Sequence, residues 1–313
     1  MIAVDQLKGK DFLCLSDYSK EEILYLLDLA AKLKEEQKQG IPHPHLQGKT
    51  LGMIFDKAST RTRVSFEVGM YQLGGMAMFM SGRDLQIGRG EPISDTAQVL
   101  SRYIDGIMIR TFSDAMVKEL AEYASIPIIN GLTDLQHPCQ VMADFQTIIE
   151  HKGKLEGLKL AYVGDGNNMT HSLMIGAAKV GMEVAVASPE GYQPDAGVTE
   201  MTRAFADETG VNVLVTTDPA EAVAEADIVY TDVWASMGQE AEQQERLQKF
   251  AGFEVNEALM RKARPDALFM HCLPAHRGEE VSADVIDGPR SVVFDQSENR
   301  LHAQKAILVA VMK

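Results

Sequence analysis

Several short stretches carry residue types suited to chemistry rather than to packing: Ser59-Thr60-Arg61-Thr62-Arg63, Arg110, His137-Pro138-Cys139-Gln140, Asp232, and His271-Cys272-Leu273. The first suits the capture of a phosphate group. Backbone N–H groups at a helix start point outward, the helix dipole favours negative charge there, and Ser/Thr hydroxyls add neutral donors. Arg61 adds a forked, charge-assisted grip on oxygens. Taken alone, the stretch is also compatible with an ordinary N-cap, Arg61 and Arg63 being solvated.

Asp232 and Cys272 each follow an apolar run, so they could meet and share protons. As a lone thiol, Cys272 has the alternative of acting as a small buried hydrophobe. Trp234, the only tryptophan, fits packing as well as function. The polar, glycine-rich segment Gly82 to Glu91 reads as plain surface or as a mobile flap over a ligand. The acidic, Gln-rich run Gln239 to Gln248 reads as a solvated face. The Gly164-Asp165-Gly166 turn follows a strand and precedes a helix, but the dinucleotide fingerprint needs glycine where Met169 stands. No acidic residue closes the next strand, at Ala187-Ser188-Pro189, so a nicotinamide-dependent dehydrogenase is disfavoured.

These residues must be placed by elements that the hydrophobic pattern reveals. Ser19 and Glu22 form a capping box before a helix bearing Ile23, Leu26, Leu27 and Ala30 on one face. Buried strands are expected at Leu51–Phe55, Met76–Met80, Gly106–Arg110 and Pro127–Asn130. Helices are expected at Val64–Leu73 and within Ile93–Tyr103, Asp114–Ala124 and Val141–Glu150. A second series has strands at Lys159–Val163, Glu183–Ala187, Asn212–Thr216, Asp227–Thr231, Ala267–Met270 and Ser291–Phe294, with a helix at about Thr170–Val180. Short strands alternating with helices predict parallel sheets. The fold class is therefore α/β, with two open doubly wound domains and a C-terminal helix, Glu298 to Lys313, returning to the first. The domains are 1–150 plus 298–313, and 151–297. Ligands of such sheets collect outside the strand C-termini, where Ser59–Thr62, Arg110 and His137–Gln140 would converge.

The 313-residue length accommodates two domains. A net charge of −15 argues against nucleic-acid and anionic-membrane partners. Cys14, Cys139 and Cys272 are widely spaced, with no CxxC, which argues against structural zinc or a disulfide framework and for a reducing, cytoplasmic setting. The N-terminus lacks the pattern of a signal or transit peptide, and no apolar run approaches a membrane span.

Ser59-Thr-Arg-Thr-Arg63, His137-Pro-Cys-Gln140, Asn168 within Gly164-Asp-Gly-Asn-Asn-Met169, Asp232-x-Trp-x-Ser-Met-Gly238 and His271-Cys-Leu-Pro-Ala275 together resemble the signature segments of ornithine carbamoyltransferases. The resemblance spans nearly the whole chain. Departures are small: Cys139 falls at a variable position, and Asp56 stands where Glu is frequent. The resemblance implies transfer of a carbamoyl group from carbamoyl phosphate to the side-chain amine of L-ornithine, giving citrulline and phosphate, in arginine biosynthesis or, run backward, in arginine breakdown. It implies no metal or organic cofactor, and a homotrimer with active sites near subunit boundaries.

By the same resemblance, carbamoyl phosphate falls to Ser59, Thr60, Arg61, Thr62, Gln86, Arg110, His137, Gln140, Cys272, Leu273 and Arg300, with Gln86 reaching a neighbouring subunit's ligand. L-Ornithine falls to Asn168, Asp232, Ser236 and Met237. Thr62, Arg110 and His137 would polarise the reacting carbonyl, and Gln140 would fix the plane of the carbamoyl group. Cys272 would lie near the attacking amine. Its thiolate or the departing phosphate takes the proton, an alternative the residues leave open. Domain closure would follow ordered binding, carbamoyl phosphate first. The rival of a different kind is a non-enzymatic binding protein for phosphorylated metabolites.

Overall fold

The computed structural model describes residues 6–87, 90–235 and 242–313. The chain divides into two compact units, Met1–Gln146 with Glu298–Lys313, and Thr147–Ser297.

In the first unit, α1 (Lys20–Lys38) starts at the expected capping box, Ser19 Oγ accepting from Glu22 N while the Glu22 side chain accepts from Ser19 N. There follow β1 (Thr50–Phe55), α2 (Thr60–Gln72), β2 (Met76–Ser81), α3 (Ile93–Leu100), β3 (Gly106–Arg110), α4 (Asp114–Tyr123), β4 (Ile128–Leu132) and α5 (Pro138–Lys152). The unit boundary falls inside α5, after Gln146. The strands form a parallel sheet in the order β2-β1-β3-β4. The chain leaves β1 for one edge and returns on the other side as β3, so the switch point lies between β1 and β3. In register, Phe55 of β1 pairs with Arg110 of β3. The loop that carries Ser59 and the strand end that carries Arg110 thus lie side by side, where such sheets collect ligands.

Central strands β1 and β3 are buried on both faces, which is why they read as unbroken apolar runs. The N-terminal segment covers β4: Phe12 N donates to Ile128 O and Asn130 N donates to Phe12 O. The other edge, β2, leaves Met76, Met78 and Phe79 exposed at 53%, 43% and 40%. An apolar edge of this kind is a candidate for pairing or packing with another chain.

The second unit contains β5 (Lys159–Val163), α6 (Asn168–Val180), β6 (Glu183–Ala187), α7 (Ala196–Thr209), β7 (Val213–Thr216), α8 (Pro219–Val223), β8 (Ile228–Thr231), α9 (Gln243–Lys249), α10 (Glu257–Met260), β9 (Leu268–His271) and α11 (Ala283–Ile286). Its parallel sheet runs β7-β6-β5-β8-β9. The switch point falls between β5 and β8, which places the Gly164–Asn168 turn beside Asp232. The last helix, α12 (Val293–Met312), belongs to the first unit from Glu298 onward.

Strand bounds shift from the sequence expectation by a residue or two, and two helix starts and one strand differ more. Helix α2 starts at Thr60 rather than Val64, and α5 at Pro138 rather than Val141. In both, the motif residues make up the first turn, where polar side chains hide the apolar period. Proline suits that first position because its missing N–H has no intrahelical acceptor there. The expected strand Ser291–Phe294 is not a strand. Ser291 makes an isolated bridge to Phe269, and the chain is helical from Val293. A short apolar run does not distinguish a buried strand from a helix start.

Candidate active site

The phosphate-like cradle is built at the N-terminus of α2. Ser59, in extended backbone, caps the helix by accepting from Thr62 N at 3.2 Å, and its hydroxyl lies 3.1 Å from Thr62 Oγ1. The amides of Thr60 and Arg61, ahead of the capped Thr62 N–H, have no intrahelical acceptor and remain available to an anion.

Behind the cradle stands Arg300 of α12, 3% exposed. Its Nη2 donates to Thr62 Oγ1 at 3.1 Å, Nη1 to Gln140 Oε1 at 2.7 Å, and Nε to Gln304 Oε1 at 2.9 Å. Gln304 in turn donates to Ser65 Oγ, and Gln140 donates to buried Asp144. One guanidinium therefore fixes the first turns of α2 and α5 together. Arg110, buried at the end of β3, receives the backbone N–H of Asp56 on its carbonyl at 2.9 Å.

His137, buried just before α5, has its pKa held well below the usual imidazole value. Burial contributes most, and the positive charges of Arg300, Arg110 and Arg61 add to it. Near neutral pH this ring is uncharged, and three guanidinium groups act on it together.

Lys57 is a residue the sequence reading passed over. It is buried, pairs with Asp134, and its Nζ lies 4.3 Å from the centre of the Phe112 ring. Its only signal in the sequence is a lysine wedged between a buried strand and the capping serine. Gln86 is exposed on the loop between β2 and α3 and takes no part in the Arg300 assembly.

In the second unit, Asp232 follows β8 and is buried. Its Oδ2 accepts from Asn167 Nδ2 at 3.0 Å, and its Oδ1 accepts from Val233 N at 2.8 Å and from the Cys272 thiol at 3.2 Å. Asp232 and Cys272 do meet, and the thiol is the donor. Asn167, its amide at the mouth of the sheet, caps α6 by accepting from Met169 N and Thr170 N while holding Asp232 with its Nδ2. Asn168 opens α6, half-buried. Ser236 and Met237 lie outside the described residues.

The segment bearing Cys272 is held from behind. Leu273 has φ +60, precedes a cis bond to Pro274, and donates its N–H to His271 Nδ1 at 2.8 Å. His271 Nε2 therefore carries the ring proton and donates it to Glu280 Oε1 at 3.2 Å, within a wholly buried pair. Glu280 Oε1 also accepts from His276 N.

Trp234 is packed, stacked on Phe250 at 5.5 Å between ring centroids. Arg246, within the run expected to be solvated, is buried instead. It donates from Nη1 to Asp165 Oδ2 and to the Trp234 carbonyl, both at 2.8 Å. Burial pushes the Asp165 carboxyl up to about 6 even against the pull of Arg246.

Fold and site thus define a two-unit α/β protein with an anion-receptive helix start in one unit and a carboxylate, amide and thiol cluster in the other. Two family models cover it: "aspartate/ornithine carbamoyltransferase, carbamoyl-P binding domain" over residues 10–150, and "aspartate/ornithine carbamoyltransferase, Asp/Orn binding domain" over 156–311. The ornithine carbamoyltransferase of Anoxybacillus flavithermus is 65% identical, covering 100% of this chain and 99% of that one. That of Thermococcus kodakarensis is 58% identical, covering 99% and 98%. The solved structure of ornithine carbamoyltransferase from Pyrococcus furiosus superposes with a TM-score of 0.95 at 58% identity, covering 98% of each chain. The chain belongs to the aspartate/ornithine carbamoyltransferase family.

Proposed function

We propose that the chain is an ornithine carbamoyltransferase, moving the carbamoyl group from carbamoyl phosphate to the side-chain amine of L-ornithine to give L-citrulline and phosphate. The observation that carries the site assignment is the assembly of Arg300 with Thr62 and Gln140, which presents hydroxyl, amide and guanidinium donors around an open helix start.

In this reading Ser59, Thr60, Arg61 and Thr62 hold the phosphate, with Arg300 behind them. Thr62, Arg110 and His137 aim donors at the carbonyl oxygen. The amine lone pair attacks the carbonyl carbon, charge gathers on that oxygen, and the bond from carbon to the phosphate oxygen breaks with its electron pair leaving on phosphate. A donor placed for that developing charge is worth about 10²–10³ in rate. His137 suits the role because a neutral ring beside three arginines still offers one N–H without adding a further positive charge. Gln140 accepts from Arg300 on Oε1, and a second lone pair there can take the carbamoyl NH₂ and set its plane.

Ornithine must attack as the free amine, which at pH 7 is roughly one molecule in a few thousand for a side-chain pKa of about 10.4. Asp232 and Asn168, with Ser236 and Met237, would hold the α-amino acid end. Asp232 is preset for this by Asn167 and the Val233 amide. Cys272 would stand by the reacting amine and, with the backbone of Leu273, meet the carbamoyl group. The proton released from nitrogen then passes to the departing phosphate or through Cys272.

A homotrimer in the cytoplasm completes the proposal. The exposed apolar edge at Met76, Met78 and Phe79, with Gln86 exposed on the following loop, supports an arrangement in which Gln86 reaches a neighbouring subunit's site. Incubation with carbamoyl phosphate and L-ornithine tests the reaction. Citrulline and phosphate should appear in equal amounts, without nicotinamide cofactor. Phosphate release with no citrulline would reduce the chain to a phosphatase-like or binding role.

A further inference from the structure

We infer that His276, Glu279 and Glu280 form a binding site for a divalent transition-metal ion of the zinc, cobalt or nickel class, independent of the substrate assignments above. The three sit on one tight turn, closed by Glu279 N donating to His276 O at 3.0 Å and Gly278 N donating to Val281 O at 2.8 Å. Spacings of three and four residues bring the side chains to one face. His276 Nδ1 lies 3.7 Å from Glu279 Oε2 and 3.8 Å from Glu280 Oε2, and the three donor atoms all fall within 4.8 Å of one another. Ligands at about 2.0–2.2 Å from a tetrahedral zinc stand roughly 3.4 Å apart, so a small inward shift would close the cage.

The buried carboxylate is the second, independent sign. Glu280 is wholly buried, and its Oε1 accepts from the His271 ring and the His276 amide. Its Oε2 has no hydrogen-bond partner among the described residues, yet it faces His276. A buried carboxylate oxygen left without a donor is costly, and a bound cation would satisfy it.

Charge agrees, since two carboxylates and a neutral imidazole suit a divalent ion. Arg277, the nearest competing cation in sequence, is turned to Asp287 in a forked pair at 2.6 and 2.8 Å. The imidazole selects a transition metal over magnesium, which prefers oxygen ligands and retained waters. A second cluster, Asp232, His271 and Cys272, belongs to the site already described, and both ring nitrogens of His271 are engaged there. Because Glu280 also carries the His271 ring that receives Leu273 N–H, an ion on Oε2 would stiffen the segment bearing Cys272.

The test is titration of the tag-free full chain with CoCl₂, followed by calorimetry and visible absorption. One ion per chain is expected, with cobalt d–d bands and no thiolate charge-transfer band. His276→Ala and Glu279→Gln, both at solvent-accessible positions, should each weaken binding by at least about tenfold, the loss expected even for residues that only support a ligand. Cys272→Ser should leave the affinity unchanged. The proposal is overturned by no cobalt binding, by unchanged affinity in both variants, or by a thiolate band that disappears in Cys272→Ser.

Discussion

Arg300 donates Nη2 to Thr62 Oγ1 at 3.1 Å across 238 positions of sequence, and the same guanidinium reaches Gln140 at 2.7 Å. The final helix is thereby built into the cradle that the Ser59 cap opens.

Replacing Arg300 with lysine keeps the charge and loses the fork, since one ammonium cannot copy three differently aimed N–H groups. Arg300→Lys should raise the KM for carbamoyl phosphate by about ten- to a hundredfold, the worth of a hydrogen bond to a charged group. Unfolding in denaturant should show a loss of about 1–3 kcal/mol from the unsatisfied Gln140 and Gln304 oxygens. An unchanged KM would remove Arg300 from the site.

Arg61 and Cys272 should separate the two substrates. Arg61→Ala is expected to abolish carbamoyl phosphate binding in direct titration. Cys272→Ala should lower turnover and ornithine affinity with carbamoyl phosphate affinity kept. Normal steady-state constants in the Cys272→Ala enzyme would refute the role given to that thiol.

Acid stability should respond to His302, whose buried ring has its pKa pushed down to about 3 by burial and the nearby Lys305 and Lys34. Its folded pKa lies below the unfolded value of about 6.5, so between these limits the unfolded chain binds the extra proton and stability falls as pH falls. Thermal midpoints of the His302→Leu variant should therefore decline less steeply than wild type between pH 6.5 and pH 4. Parallel curves would show that His302 is not held neutral.

Binding should be ordered. The Arg300 assembly is already held by its own side-chain bonds, and orientation of two small reactants is worth about 7–11 kcal/mol of barrier. Calorimetry should detect ornithine binding only after carbamoyl phosphate or phosphate has been added. Equal, independent binding to the ligand-free enzyme would contradict this.

What the sequence disclosed follows physical lines. β1, β3, β5 and β6 were legible because strands buried on both faces leave continuous apolar runs. The first turns of α2 and α5 were not, because their capping and polar motif residues carry no apolar period. Ser291–Phe294 was misread as a strand for want of length. The chemistry at strand ends was visible as residue types, and Asp232 does meet Cys272. The supporting shell was hidden. Lys57 and Glu280 act through partners fixed only by the fold, and Arg246, in a run of Gln and Glu, is drawn inside by Asp165 across 81 positions.

Transfer from carbamoyl phosphate to ornithine is best checked by citrulline-type colorimetry with L-ornithine, putrescine and L-aspartate compared side by side as acceptors. Carbamoylated product is expected with ornithine alone, and its loss is expected in Arg61→Ala. Equal or greater product with putrescine or aspartate, or undiminished product in Arg61→Ala, would contradict that expectation.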